Sequence, residues 1–253
     1  MNQTRTTNVK SRRLVITAVL GAITVALGFT PLGFIPLGIL NATTLHIPVI
    51  IGAIVEGPVV GALVGLIFGL SSLLRSIMTP TPLTPFIMNP LVSVVPRVLI
   101  GLFAGYAFIA VKKLSPKVMK NLNMVAWAVC SAVLAWILYR NFQAPQLNVV
   151  TTVISAVFLG LCLAMLYYSS AKMNGDFPIV ASAFIGSMTN TVFFLGMMYL
   201  LYAEQYMVAI GQPVAMARSV ILGVAVSSGL PEAILSVIVT TAVVKAVTLS
   251  KRH

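Results

Sequence analysis

Long apolar runs with almost no charge constrain this chain more than any other feature. The first is "LVITAVLGAITVALGF" (14–29). Runs of about 18 residues or more recur along the rest, long enough to span a bilayer. In lipid, every backbone N–H and C=O must be satisfied within the spanning structure, which leaves helices or closed barrels. The runs are continuous and do not alternate, so a barrel is excluded. Only 8% of the 253 residues are charged, against about 25% in a soluble domain. The fold class expected is an all-α integral membrane protein, a single helical bundle.

Eight crossings are expected. Helix 1 is placed at about 14–30, retained rather than cleaved as a signal peptide, since no small-x-small site follows it. A short helix at about 47–56 follows, then a turn at Gly57–Pro58 and a helix at about 58–74. The proline-dense stretch "RSIMTPTPLTPFIMNP" (75–90) cannot be one continuous helix. Helices at about 90–111, 124–139, 148–168 and 178–203 come next. Between them lie a basic connector, "KKLSPKVMKNLN" (112–123), and a polar turn (169–178). A loop at 204–219 precedes a last apolar stretch, 219–247, broken near "SSGLPE". With the N-terminus inside, twelve of the sixteen Lys and Arg residues fall on inner segments. Arg75, Arg97, Arg140 and Arg218 are the exceptions. This asymmetry predicts both termini in the cytoplasm.

Several functions are excluded by what is missing. The net charge of +12 does not indicate nucleic acid, because the basic residues sit between apolar runs where topology places them. No G-x-x-x-x-G-K-[ST] loop, H-E-x-x-H or G-x-S-x-G is present. The four acids are Glu56, Asp176, Glu204 and Glu232, and none is paired in sequence. No enzyme activity, metal or cofactor is expected. Cys130 and Cys162 lie in apolar runs and read as core residues.

Three polar side chains share a depth. At about 1.5 Å of rise per residue, Arg97 lies roughly 22 Å from the inner anchor Lys112, Glu232 roughly 20 Å from Lys245, and Asn190 roughly 18 Å from Pro178. All three reach the outer half of the bilayer on separate helices. Intramembrane charges face a bundle interior or cavity, and two readings stand. One is an outward-open pocket in which Arg97 pairs with a ligand carboxylate, as its planar fork favours, with Asn190 as a further contact. The other is an Arg97–Glu232 ion pair stapling helices, with Asn190 as interhelical glue. The loop "NATTLHIP" (41–48) supplies Asn41, Thr43 and His46 to a lid over such a pocket. His46 lacks the companions a metal site needs. Gly57, Gly61, Gly65 and Gly69 recur every four residues and predict close helix packing, and helix 1 carries a small-residue face that includes Ala18 and Ala22.

The stretches "LGFIPLG" (32–38), "ATTLHIPVIIGAIVEGPVVGALVGLIFGLSSL" (42–73), "VPRVLIGLFAG" (95–105), "GSMTNTVFFLGMMYL" (186–200) and "GLPEAIL" (229–235) resemble the substrate-binding S components of energy-coupling factor (ECF) transporters. They are closest to the pantothenate type. The resemblance implies a vitamin-capture subunit in a prokaryotic cell membrane. Such a subunit has no catalysis of its own and docks on a transmembrane scaffold driven by two cytoplasmic ATPases that hydrolyse ATP. It also implies that Ala18 and Ala22 dock the scaffold, and that Arg97, Asn190 and Glu232 line the pocket. Members of the family typically have six helices, so 1–113 and 177–253 form the core, and 114–176 inserts a connector and two helices. Other vitamins (folate, niacin, pyridoxine) stay open as substrates. So do an autonomous secondary transporter coupled through Glu232 and a structural subunit without a ligand.

Overall fold

The computed structural model describes residues 2–30, 33–36, 41–81, 83–143, 149–172 and 176–250. The order is α1 (Asn2–Gly28), β1 (Phe34–Pro36), β2 (Asn41–Thr43), α2 (Ile47–Glu56), α3 (Pro58–Met78), α4 (Thr84–Ile87), α5 (Pro90–Ser93), α6 (Val95–Val111), α7 (Pro116–Phe142), α8 (Val149–Lys172), α9 (Phe177–Ala209), a 3-10 turn (Val214–Met216), α10 (Ala217–Ser227) and α11 (Gly229–Ser250). Among the described residues, six helical stretches are long and apolar enough to cross a membrane, and two shorter ones, Ile47–Glu56 and Ser155–Tyr167, are apolar. The all-α bundle is as expected, apart from a two-stranded antiparallel ribbon that pairs Phe34 with Thr43.

Helix boundaries depart from the sequence expectation where polar stretches continue a helix rather than break it. The basic connector is helical from Pro116, because proline at the first helical position fixes a helical φ and Lys and Met are good helix formers. Likewise α9 continues through Glu204 and Gln205 to Ala209, bending where Tyr202 leaves helical dihedrals, and α1 begins at Asn2 rather than Leu14. No proline or glycine interrupts either segment, and charge alone does not end a helix.

The short helix α2 is central. It packs against α1, α3, α6, α9 and α11, and eight of its ten residues are buried. Gly57 turns the chain from α2 into α3 at φ +103°, a conformation side chains rarely adopt. The four-residue glycine repeat then lets α3 lie backbone to backbone with α6. A Cβ on Gly61 would stand 2.9 Å from the Gly101 Cα, and one on Gly69 would stand 2.8 Å from the Val94 Cα. The pairs 61/101, 65/97 and 69/94 set an antiparallel register that places Arg97 against Gly65. Helices α7 and α8 pack chiefly on each other and meet the rest of the bundle through α9 and α11. Cys130 and Cys162 are free and buried there. Among the described residues, two ion pairs join helices: Arg12 of α1 with Glu56 at the end of α2, and Lys245 of α11 with Asp176, which precedes α9.

Candidate functional site

The position of Arg97 follows from the proline before it. In a continuous helix the Val92 carbonyl would accept from the N–H of residue 96, but Pro96 has none. The helix breaks at Val94 between α5 and α6, and the stranded carbonyl takes a hydrogen bond from Arg97 Nη1 at 2.7 Å. The guanidinium therefore leans back toward the N-terminal end of its own helix. Its charge is flanked by two aromatic faces, Phe194 at 4.7 Å and Phe68 at 5.4 Å from the ring centroids, a favourable cation–π placement. The side chain is 8% exposed.

Upstream, Asn89 holds the N-terminal end of this segment. Its side chain accepts from the Leu91 N–H at 3.0 Å, capping α5, and donates to the Tyr202 hydroxyl at 2.9 Å. Phe86 lies 5.2 Å from the Tyr202 ring. The stretch between α3 and α6 is thus pinned to α9 at its bend.

Beside Arg97 opens a cavity of about 410 Å³ between α3, α6, α9, α10 and α11. Arg97, Asn190, Glu232 and Thr43 all line it. The three residues grouped by depth therefore share one cavity, joined by the ribbon residue Thr43. Glu232 accepts a hydrogen bond from the Thr43 backbone N–H at 2.9 Å, which ties β2 to α11. The structure contains no Arg97–Glu232 ion pair within 4.0 Å, so the direct staple is not formed. Three buried polar atoms of the lining lack any protein partner: Arg97 Nε, Asn190 Oδ1 and Thr43 Oγ1. An unsatisfied buried polar group costs about 1–3 kcal/mol. Three around one cavity mark a place for a polar guest.

His46 and the α1 alanines lie elsewhere. His46 is fully buried at the start of α2, with neither ring nitrogen hydrogen-bonded, and it does not line the cavity. Asn41 pairs through its backbone with Pro36 in the ribbon, and its side chain lies outside the described residues, as does part of "LGFIPLG". Ala18 and Ala22 lie on the exposed face of α1, with Val15, Val19 and Ile23 beside them. The opposite face, with Gly21 against Ile67, packs on α3.

Sequence reasoning missed the part of the cavity formed by the C-terminal end of α3. Arg75, Ser76 and Thr79 of the α3 end line it, as do Tyr206 and Ile221. Ser72, Ser76 and Thr79 recur at helical spacing around Arg75, and this polar face at the end of α3 is the sequence signal for that wall. A second cavity, about 180 Å³ and lined by Trp127, Phe177, Phe184 and Ile234 among others, is apolar and separates α7 from α9 and α11.

Against known proteins, the family described as "ECF transporter, substrate-specific component" matches residues 12–143 and 124–244. The chain is also similar to the "Pantothenic acid transporter PanT" of Lactococcus lactis subsp. cremoris (strain MG1363). The two are 28% identical over 212 residues, which cover 83% of this chain and 80% of that one.

Proposed function

This chain belongs to the substrate-specific components of ECF transporters, and we propose that it captures pantothenate from outside the cell. The observation that carries the reading is Arg97, a buried cation with an unpartnered Nε, facing a cavity in which Asn190 Oδ1 and Thr43 Oγ1 are also unpartnered. Arg97 pairs with the substrate carboxylate. Asn190 and Thr43 bond the amide and its neighbours, and Glu232 holds the ribbon over the site through Thr43. The lining carries two cations, Arg75 and Arg97, and one acid, Glu232, a balance that favours a singly charged anion. The similarity to the PanT protein supports pantothenate over other vitamins.

Capture is separate from energy coupling in this proposal. The subunit sits in a prokaryotic cell membrane with both termini inside. It docks through the Ala18–Ala22 face on a membrane scaffold, and two cytoplasmic ATPases supply the work. The inserted 114–176 segment lies beside the capture core.

The test is equilibrium binding of labelled pantothenate to the purified chain, wild type and Arg97→Met. Tight binding that collapses in the variant supports the reading. Equal binding by both removes Arg97 from the carboxylate, and no binding by folded wild type removes pantothenate.

A further inference from the structure

The cavity is longer than one recognition point requires. Its lining on α9 runs from Asn190 to Tyr206, roughly 24 Å of helix. On α3, the residue packed against Arg97 is Gly65, and Arg75 lies ten positions further out, roughly 15 Å along the axis. Arg75 and Arg97 are thus two cationic stations at different heights of one cavity. Leu195, Met198 and Ile221 form apolar wall between them.

The hydrogen bonds at the outer station have a definite polarity. Ser76 Oγ donates to the Ser72 carbonyl at 2.9 Å, and Thr79 Oγ1 donates to the Arg75 carbonyl at 3.0 Å. With their protons committed to the backbone, these hydroxyls offer lone pairs, so they accept. Arg75 only donates. Its Nη1 bonds the Gly28 carbonyl at the end of α1 at 2.6 Å, which fixes the fork at the cavity wall. A donor beside two acceptors suits a group that both gives and takes hydrogen bonds. An alcohol does both, whereas a carboxylate only accepts.

We infer that Arg75 is a second substrate-reading residue, which with Ser76 and Thr79 recognises the hydroxylated end of the substrate while Arg97 holds the opposite, acidic end. This rests on the proposed capture of pantothenate. That molecule carries its carboxylate at one end, an amide in the middle and two hydroxyls at the other end, with two methyl groups on the carbon between the hydroxyls, which suit the apolar wall beside the outer station. The site therefore selects elongated hydroxy-acid amides over acids of similar length without hydroxyls.

The experiment compares three ligands on wild type, Arg75→Gln, Arg75→Lys and Arg97→Met. The ligands are pantothenate; pantothenol, in which an alcohol replaces the carboxylate; and N-(3,3-dimethylbutanoyl)-β-alanine, the same skeleton without its two hydroxyls. Arg75→Gln is expected to weaken pantothenate about tenfold or more, the loss typical of a hydrogen bond to a charged group, and to leave the dehydroxylated acid unchanged. Arg75→Lys, which keeps the charge without the fork, falls between. Arg97→Met is expected to give the converse, a collapse with pantothenate and little change with pantothenol. If Arg75→Gln weakens the two acids equally, the residue only holds α1 to α3 and the inference is overturned. If it leaves pantothenate binding intact, the inference is likewise overturned, while capture of pantothenate stands. Failure of wild type to bind pantothenate removes the substrate, and the inference with it.

Discussion

Replacing Gly65 by alanine tests whether backbone contact between α3 and α6 positions the buried cation. A Cβ at Gly65 would lie 2.8 Å from the Arg97 carbonyl carbon and 3.2 Å from the Val98 Cα. Carbon atoms in comfortable contact are about 3.5–4.0 Å apart, so the helices must separate by about 1 Å. No flexible side chain stands in the way to absorb the shift; the obstacles are backbone atoms. Overpacking costs about 1–3 kcal/mol, and a backbone obstacle points to the upper end. Alanine regains about 1 kcal/mol of helix propensity over glycine. The net expectation is a loss of about 2 kcal/mol, which lowers the unfolding midpoint by about 4–8 °C for a chain of this size. Pantothenate affinity falls with it, since the residue displaced is Arg97. Gly160 in α8 is the control, because a Cβ there meets nothing within 4 Å. Gly160→Ala is expected to be neutral or stabilising by up to about 1 kcal/mol, with unchanged binding. Thermal unfolding in detergent, paired with ligand titration, reads both quantities. If Gly65→Ala is as stable as wild type and binds as well, the glycine seam does not set the position of Arg97.

Two further substitutions separate the remaining roles. Glu232→Gln keeps an oxygen to accept the Thr43 N–H and is expected to retain capture, whereas Glu232→Leu, which strands that N–H, weakens it about tenfold or more. An ion-coupled secondary transporter would instead lose its ion dependence in the Gln variant, which uptake at varied pH and sodium would reveal. Ala18→Trp and Ala22→Trp, on the exposed face of α1, are expected to leave capture by the isolated chain unchanged and to abolish partner-dependent uptake. Unaffected uptake would remove the docking role from this face.

The sequence by itself determined the environment, the helical class and the depth of the important polar groups. Those properties depend on quantities local to the chain: apolar run length against bilayer thickness, and a fixed rise per residue. Hence Arg97, Asn190 and Glu232 share a level by residue count alone, and they line one cavity. Helix ends were less legible, because lysines and glutamates mark the water boundary and say nothing of where helical dihedrals stop, as α7 and α9 show. Only the tertiary structure decided direction around each helix. Arg75 turned into the cavity and toward Gly28, Glu232 met Thr43 rather than Arg97, and His46 was buried away from the lining. Depth is set along a helix by a constant rise. Azimuth is set by which neighbours approach, and here that depended on glycines whose missing side chains let one backbone rest on another.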